Sequence, residues 1–233
     1  MTLLARDTLP RRLRGGGALV LFALFVATIA ALAIGAVIYL LQPHWSEPPA
    51  GNEAPPLPIV VAGVVFNVPP AAVRVPLQRR AGTQERIDLA YRWPQLTPPE
   101  SHAPSAAGAP ARLFVTIEVS QGTLPPAERL RTIYPRYIDA PSVTEPGGLT
   151  LAPFADGTPY QGEDVIYDAA APERFLVRCN RARGDLTLAM CLYERPVGAA
   201  AVTFRFPREW LADWRAVESG IDSLIERWRP AGR

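Results

Sequence analysis

Two cysteines and one acidic stretch are the residues of this chain best suited to chemistry. Cys179 and Cys191 flank the polar run Asn180-Arg181-Ala182-Arg183-Gly184-Asp185, in which Gly184 supplies turn geometry between two strand-like segments. A hairpin centred near Asp185 places the cysteines opposite each other, together with Val177 and Tyr193. In an oxidising compartment that pairing is a structural disulfide. Closing a loop of about 13 residues contributes roughly 3 kcal/mol in the chain-entropy model. A redox pair would instead use Cys-x-x-Cys spacing at a helix start, where the thiol pKa falls.

The acidic stretch runs Asp156-Gly157-Thr158-Pro159-Tyr160-Gln161-Gly162-Glu163-Asp164, with Tyr167 and Asp168 just beyond. Asp156, Tyr160, Glu163, Asp164 and Asp168 form a candidate ligand patch. Two carboxylates among Glu163, Asp164 and Asp168 could cleave a glycan by acid–base chemistry, or the oxygens could bind a cation. The alternating acids and terminal Glu of a calcium loop are missing. The favoured reading is a glycine turn feeding a strand at Val165-Ile166-Tyr167, its acids solvated.

Other catalytic sets are not assembled. The two histidines are His44 and His102, both in proline-rich segments, which argues against a Ser-His-Asp triad, a Cys-His pair or a histidine zinc site. Arg183-Gly184-Asp185 matches an adhesion tripeptide, but turn chemistry explains it. No catalytic residue, cofactor or metal is expected.

The elements that would position these residues have mostly a period of two. Ile87, Leu89, Tyr91 and Trp93 alternate with Asp88, Ala90 and Arg92, and Leu113, Val115, Ile117 and Val119 do so with Phe114, Thr116 and Glu118. Residues 175–179, 186–193 and 201–206 read the same way, which predicts antiparallel sheet with one buried face. The apolar run 59–67 predicts a single buried strand. A short helix is expected from Pro125 to Ile133 with Thr123 as N-cap. A longer one is expected over 207–229, where Trp210, Trp214, Val217, Ile221, Leu224 and Trp228 make an apolar stripe for a sheet face, and Gly220 marks a bend.

The chain before this domain settles location. Residues 18–41 carry no charge and as a helix measure about 36 Å, enough to cross a hydrocarbon layer of about 30 Å. Arg11, Arg12 and Arg14 precede the run, so the N-terminus is expected in the cytoplasm and the C-terminal domain in the periplasm. A cleaved signal peptide would have a shorter apolar region and a small-x-small site, which Gln42 to Glu47 lack. The expected organisation is a basic tail 1–17, a transmembrane signal anchor 18–41, a Pro-rich stalk 42–58, and a β-rich domain 59–229 with a flexible loop 98–111.

All 24 basic residues are arginine. Beyond residue 17 there are 20 arginines against 21 acids, so the basic character lies in the tail and no nucleic-acid partner is expected. A 17-residue tail is too short for a folded signalling domain.

This layout, with Ile133-Tyr134-Pro135-Arg136-Tyr137 and Phe206-Pro207-Arg208-Glu209-Trp210-Leu211, resembles uncharacterised single-pass, membrane-anchored periplasmic proteins of proteobacterial type. The resemblance implies an inner-membrane location and topology and carries over no substrate, cofactor or catalytic residue. The fold class expected is α+β: one transmembrane helix, then a mostly antiparallel β domain, sandwich-like, under a C-terminal amphipathic helix. The expected partners are the lipid bilayer and an envelope protein. The expected function is non-catalytic binding or scaffolding, with a periplasmic hydrolase acting on cell-wall or glycan material as the alternative.

Overall fold

The computed structural model describes residues 15–41, 54–99, 111–139, 141–145, 147–182 and 188–229. Arg11, Arg12, Arg14, His44, His102, the 183–185 tripeptide and most of the stalk and the flexible loop lie outside the described residues. The chain divides into two units, Met1–Ser46 and Glu47–Arg233.

In the first unit a single helix, α1 (Gly15–Leu41), contains an 18-residue window, Val20–Val37, of mean hydropathy 2.7. Its side chains there are exposed all round, so no protein core explains their apolarity. Its one hydroxyl in the window, Thr28, donates to the Leu24 carbonyl at 2.8 Å, so its polar hydrogen is satisfied within the helix. The helix has the length and composition of a membrane span or a signal sequence.

The second unit begins with β1 (Leu57–Val61), β2 (Val64–Val68), β3 (Gly82–Thr83), β4 (Arg86–Arg92) and β5 (Arg112–Val119). Helix α2 (Pro126–Thr132) follows, then β6 (Val143–Thr144), β7 (Thr150–Pro153), β8 (Glu163–Tyr167), β9 (Leu176–Asn180), β10 (Met190–Val197), β11 (Ala200–Pro207) and α3 (Trp214–Trp228). Eight strands form an antiparallel sheet in the order β4-β5-β11-β10-β9-β8-β7-β6, and β2-β1-β3 form a smaller one.

Register pairing draws one row across the large sheet: Leu89, Val115, Phe204, Tyr193, Val177, Ile166, Leu151 and Val143. Its first six members are at most 2% exposed, whereas Val143 at the edge is 58% exposed. Over this inner face lie the small sheet, through Ile59, Val61, Phe66 and Val68, and α3, through Trp214, Val217, Ile221, Leu224, Ile225 and Trp228. The fold is therefore α+β, as the alternation and the C-terminal stripe require.

Five local expectations are corrected. Residues 59–67 are not one strand: Ala62 (φ 50°) and Gly63 (φ 78°) make a two-residue turn between β1 and β2, the positive-φ pair that matches strand twist. Strand β1 starts at Leu57, so Leu57 and Pro58 belong to the domain rather than the stalk. Thr123 does not cap α2. Pro125 holds the N-cap position with ψ 147°, extended as a residue before proline must be. Residues 208–213 form a 3₁₀ turn, and α3 starts at Trp214 with Asp213 accepting from the Ala216 amide. Gly220 lies inside this continuous helix and marks a close approach rather than a bend: a Cβ there would sit 2.9 Å from Trp93 Cζ3.

Candidate functional site

The disulfide joins Cys179 to Cys191 with an S–S distance of 2.00 Å, and the cysteines are register partners, as are Val177 and Tyr193. Both cysteines are buried on the inner face beside Phe206. Inaccessible sulfurs with this surrounding staple two central strands; no solvent-facing thiol chemistry is available to them.

The acidic patch does not converge. Neighbouring residues of a strand point to opposite faces, so Glu163 and Asp164 are held apart by β8 itself. Asp164 is the register partner of Cys179, faces inward and is 4% exposed. Its Oδ1 accepts from Arg181 Nε at 2.7 Å and its Oδ2 from Arg208 Nη1 at 2.6 Å. Arg181 Nη2 also donates to the carbonyls of Phe154 and Glu163, tying β7, β8 and β9 together. With both carboxylate oxygens bonded to arginines and the side chain buried, Asp164 is a structural rivet.

Glu163 faces outward and accepts from Arg178 Nη1 at 3.0 Å. Asp168, past the end of β8, caps the Ala170 amide and pairs with Arg174, whose Nε reaches Glu218 on α3. Tyr160 stacks on Phe154 at 4.7 Å, meets Tyr134 and Tyr137 edge-on, and carries the Arg178 guanidinium over its ring. Asp156 is exposed in the turn at Gly157. The acid pair required by the glycan-cleaving alternative is thus separated by alternation, and Glu163, Asp164 and Asp168 each hold an arginine rather than a shared cleft. Among the described residues no three His, Cys, Asp or Glu side chains gather closely enough to hold a metal ion.

What the sequence reading missed is the outer face of the large sheet. Its central row is Ala90, Phe114, Arg205, Leu192, Arg178, Val165 and Ala152. Over β7 to β9 this face is covered by α2 and the following turn, which pack Tyr134, Phe154, Val165 and Leu176 into a second small core. Over β10, β11 and β5 the row emerges: Leu192 and Phe114 are half-buried and Arg205 is exposed, while Ala90 on β4 is buried again. Between α2 and the β10–β11 hairpin lies a groove of about 190 Å³ walled by Leu124, Pro125, Pro196 and Thr203. Arg129 and Glu194 form an ion pair at its side.

The titratable groups with displaced pKa values are all structural. Burial pushes the Tyr193 hydroxyl up to about 12, partly offset by Arg195, and burial raises Tyr91 as well. The Arg86 hydrogen bond holds the Asp88 carboxyl down at about 2.

No protein-family model matches the chain, and no curated protein matches it. Two solved structures do. One is Smlt3025, an immunity protein of the Stenotrophomonas maltophilia type IV secretion system, at 14% identity over 76% of this chain and 94% of that one, with a TM-score of 0.52. The other is the Neisseria meningitidis iron-regulated outer membrane lipoprotein FrpD, at 12% identity over 76% and 96%, with a TM-score of 0.43. The first likeness is one of fold.

Proposed function

We propose that this chain is a membrane-anchored binding module of the bacterial envelope, held by α1 with its C-terminal unit on the periplasmic side. One observation carries the reading: the two faces of the large sheet are treated differently. The inner face is sealed by α3 and the small sheet, whereas the outer face is left partly open over β5, β11 and β10, with a groove at its end. An exposed sheet face with half-buried apolar residues is a place for a partner rather than for catalysis. The fold likeness to an immunity protein of a secretion system fits a protein that acts by binding.

Photo-crosslinking in the native cell tests this. A crosslinking residue at Leu124 or Thr203 is expected to trap a defined envelope protein, and the same residue at Arg215 on α3 is not. Equal labelling from both faces, or none from the outer face, would refute the binding role. A periplasm-dependent reporter fused to the C-terminus tests the orientation; activity only in the cytosol would reverse it.

A further inference from the structure

Residues 69–81, the connection from β2 to β3, contain the three arginines Arg74, Arg79 and Arg80 and no acid. A 3₁₀ turn within it, Pro76–Gln78, leaves Leu77 53% exposed, and Arg74, Pro76, Arg80 and Ala81 around it are exposed as well. The connection is braced. Gln84, only 8% exposed, donates through Nε2 to the carbonyls of Gln78 and Arg80 at 3.0 and 2.8 Å. Gln78 exchanges two hydrogen bonds with Asp88, and Arg79 Nε donates to the Val73 carbonyl. The acids of the adjoining strands are engaged: Asp88 accepts from Arg86, Gln78 and Thr116, and Glu118 pairs with Arg86. Glu85, in the turn after β3, is exposed, so residues 69–85 hold three arginines against one acid.

A lone exposed leucine is ordinary on a protein surface. Leu77 differs in standing among arginines on a braced loop, at the end of the domain where the chain enters. Strand β3 runs parallel to β1 with Gly82 opposite Ile59, so the loop leads into β3 from the same end as Leu57. Residues 42–56, between α1 and Leu57, reach at most about 50 Å when fully extended.

We propose that the 74–81 loop docks on an anionic lipid surface, with Leu77 entering the boundary between headgroups and acyl chains and Arg74 and Arg80 meeting lipid phosphates. The proposal goes beyond the binding-module reading and rests on one part of it, retention of α1 in the bilayer. Leucine beside arginine is the composition of interfacial membrane contacts, and each arginine near an anionic surface raises partitioning about fivefold. A tether of this length holds the local lipid concentration high, so contacts that would be weak in a free domain suffice here.

The test uses the full chain in nanodiscs of phosphatidylcholine with or without phosphatidylglycerol. Ala81→Cys supplies one reactive thiol, since the native cysteines are paired and buried, and a dye on it is quenched when nitroxide-bearing lipid comes into contact. Leu188→Cys, at a site 62% exposed in the β9–β10 connection, is the control. Quenching at residue 81 is expected in discs containing phosphatidylglycerol, to weaken with NaCl, and to be absent at residue 188. Arg80→Glu is expected to lower the docked-to-undocked ratio at least about tenfold and Leu77→Ser several-fold, with unchanged circular dichroism. No quenching at residue 81, equal quenching at residue 188, indifference to phosphatidylglycerol, or no response to either variant would overturn the proposal. So would release of the loop at matched ionic strength by hexaglutamate, which would assign it to an acidic protein, or by inorganic phosphate, which would assign it to a free anion. If the chain does not stay in the discs, the anchor reading fails and the proposal with it; if it stays and residue 81 is not quenched, the anchor stands and the proposal alone fails.

Discussion

Trp228 on α3 donates its indole N–H to the Tyr91 hydroxyl at 2.9 Å, and both side chains are buried. The bond fastens the last turn of the helix to strand β4, 137 residues away in sequence. Trp228→Phe leaves the Tyr91 hydroxyl buried without its donor, and a loss of about 1–3 kcal/mol is expected in chemical denaturation. Tyr91→Phe orphans the indole instead. The double variant is expected to lose less than the sum of the singles, since only one bond exists to be broken. Strict additivity would show the pair to be uncoupled.

Asp164 is expected to be the most sensitive acid of its patch. Asp164→Asn keeps the shape but replaces two charge-assisted hydrogen bonds from the part-exposed Arg181 and Arg208 by contacts to a neutral amide, at a cost of about 1.5–3 kcal/mol. Asp156→Asn, in an exposed turn, is expected to change stability by less than about 0.5 kcal/mol. Thermal unfolding of the two variants side by side checks the ranking; equal small effects would mean that Asp164 is not a rivet.

The disulfide and the rivet lie in one register row, since Cys191 pairs with Cys179 and Cys179 with Asp164. Replacing both cysteines by serine is expected to cost about 2–4 kcal/mol. Hydrogen exchange is expected to quicken first at β8 to β10, where the staple and the ion pairs meet. Uniform quickening across the sheet would place the effect wholly in the unfolded chain.

The cysteine pairing and the inner row were readable because a strand has a period of two and one face of the sheet is dry. Leu89, Val115 and Val177 announce themselves by alternation. The β1–β2 turn was not readable, because Ala62-Gly63 lacks the Asn-Gly or Asp-Gly signal that marks such turns. The acidic run reads correctly as a turn feeding a strand, but the expected solvation fails at Asp164: adjacent strand residues such as Glu163 and Asp164 face opposite ways, and Asp164 is the one turned inward. The pairing of Arg92 with Arg112 needs the register of β4 against β5, which no local pattern supplies. Arg92 and Arg112 look unrelated until the strands are paired.

The pH dependence follows from four groups. The Tyr193 hydroxyl ionises at about 12 in the folded protein against 10.0 in the unfolded chain, and burial raises Tyr91 and Tyr134 too. The folded state therefore keeps protons that the unfolded state has lost, and stability present below pH 10 declines as pH rises through that window. Asp88 works in the other direction. Its contribution is present above 3.8 and is lost as pH falls toward about 2. Denaturation midpoints are expected to be flat with respect to these groups from pH 5 to 9 and to fall on both sides. Asp88→Asn is expected to flatten the acid limb, and an unaltered limb would remove Asp88 from the account.

Gly220 sets two effects of opposite sign against each other. Glycine inside a helix costs about 1 kcal/mol relative to alanine, so Gly220→Ala gains that much from propensity alone. Against it stands the Trp93 ring, whose Cζ3 and Cη2 would lie 2.9 and 3.2 Å from the new Cβ, with Leu96 Cδ1 at 3.3 Å. Trp93 cannot swing away freely, because its ring stacks on Trp210 at 4.8 Å. Overpacking of this kind costs about 1–3 kcal/mol, so the clash is expected to win and the variant to be net destabilised. Adding Trp93→Leu, which removes the ring, is expected to turn the sign of the Gly220→Ala effect. If Gly220→Ala stabilises the protein with Trp93 intact, the helix and the β4–β5 end are not in close contact at this point.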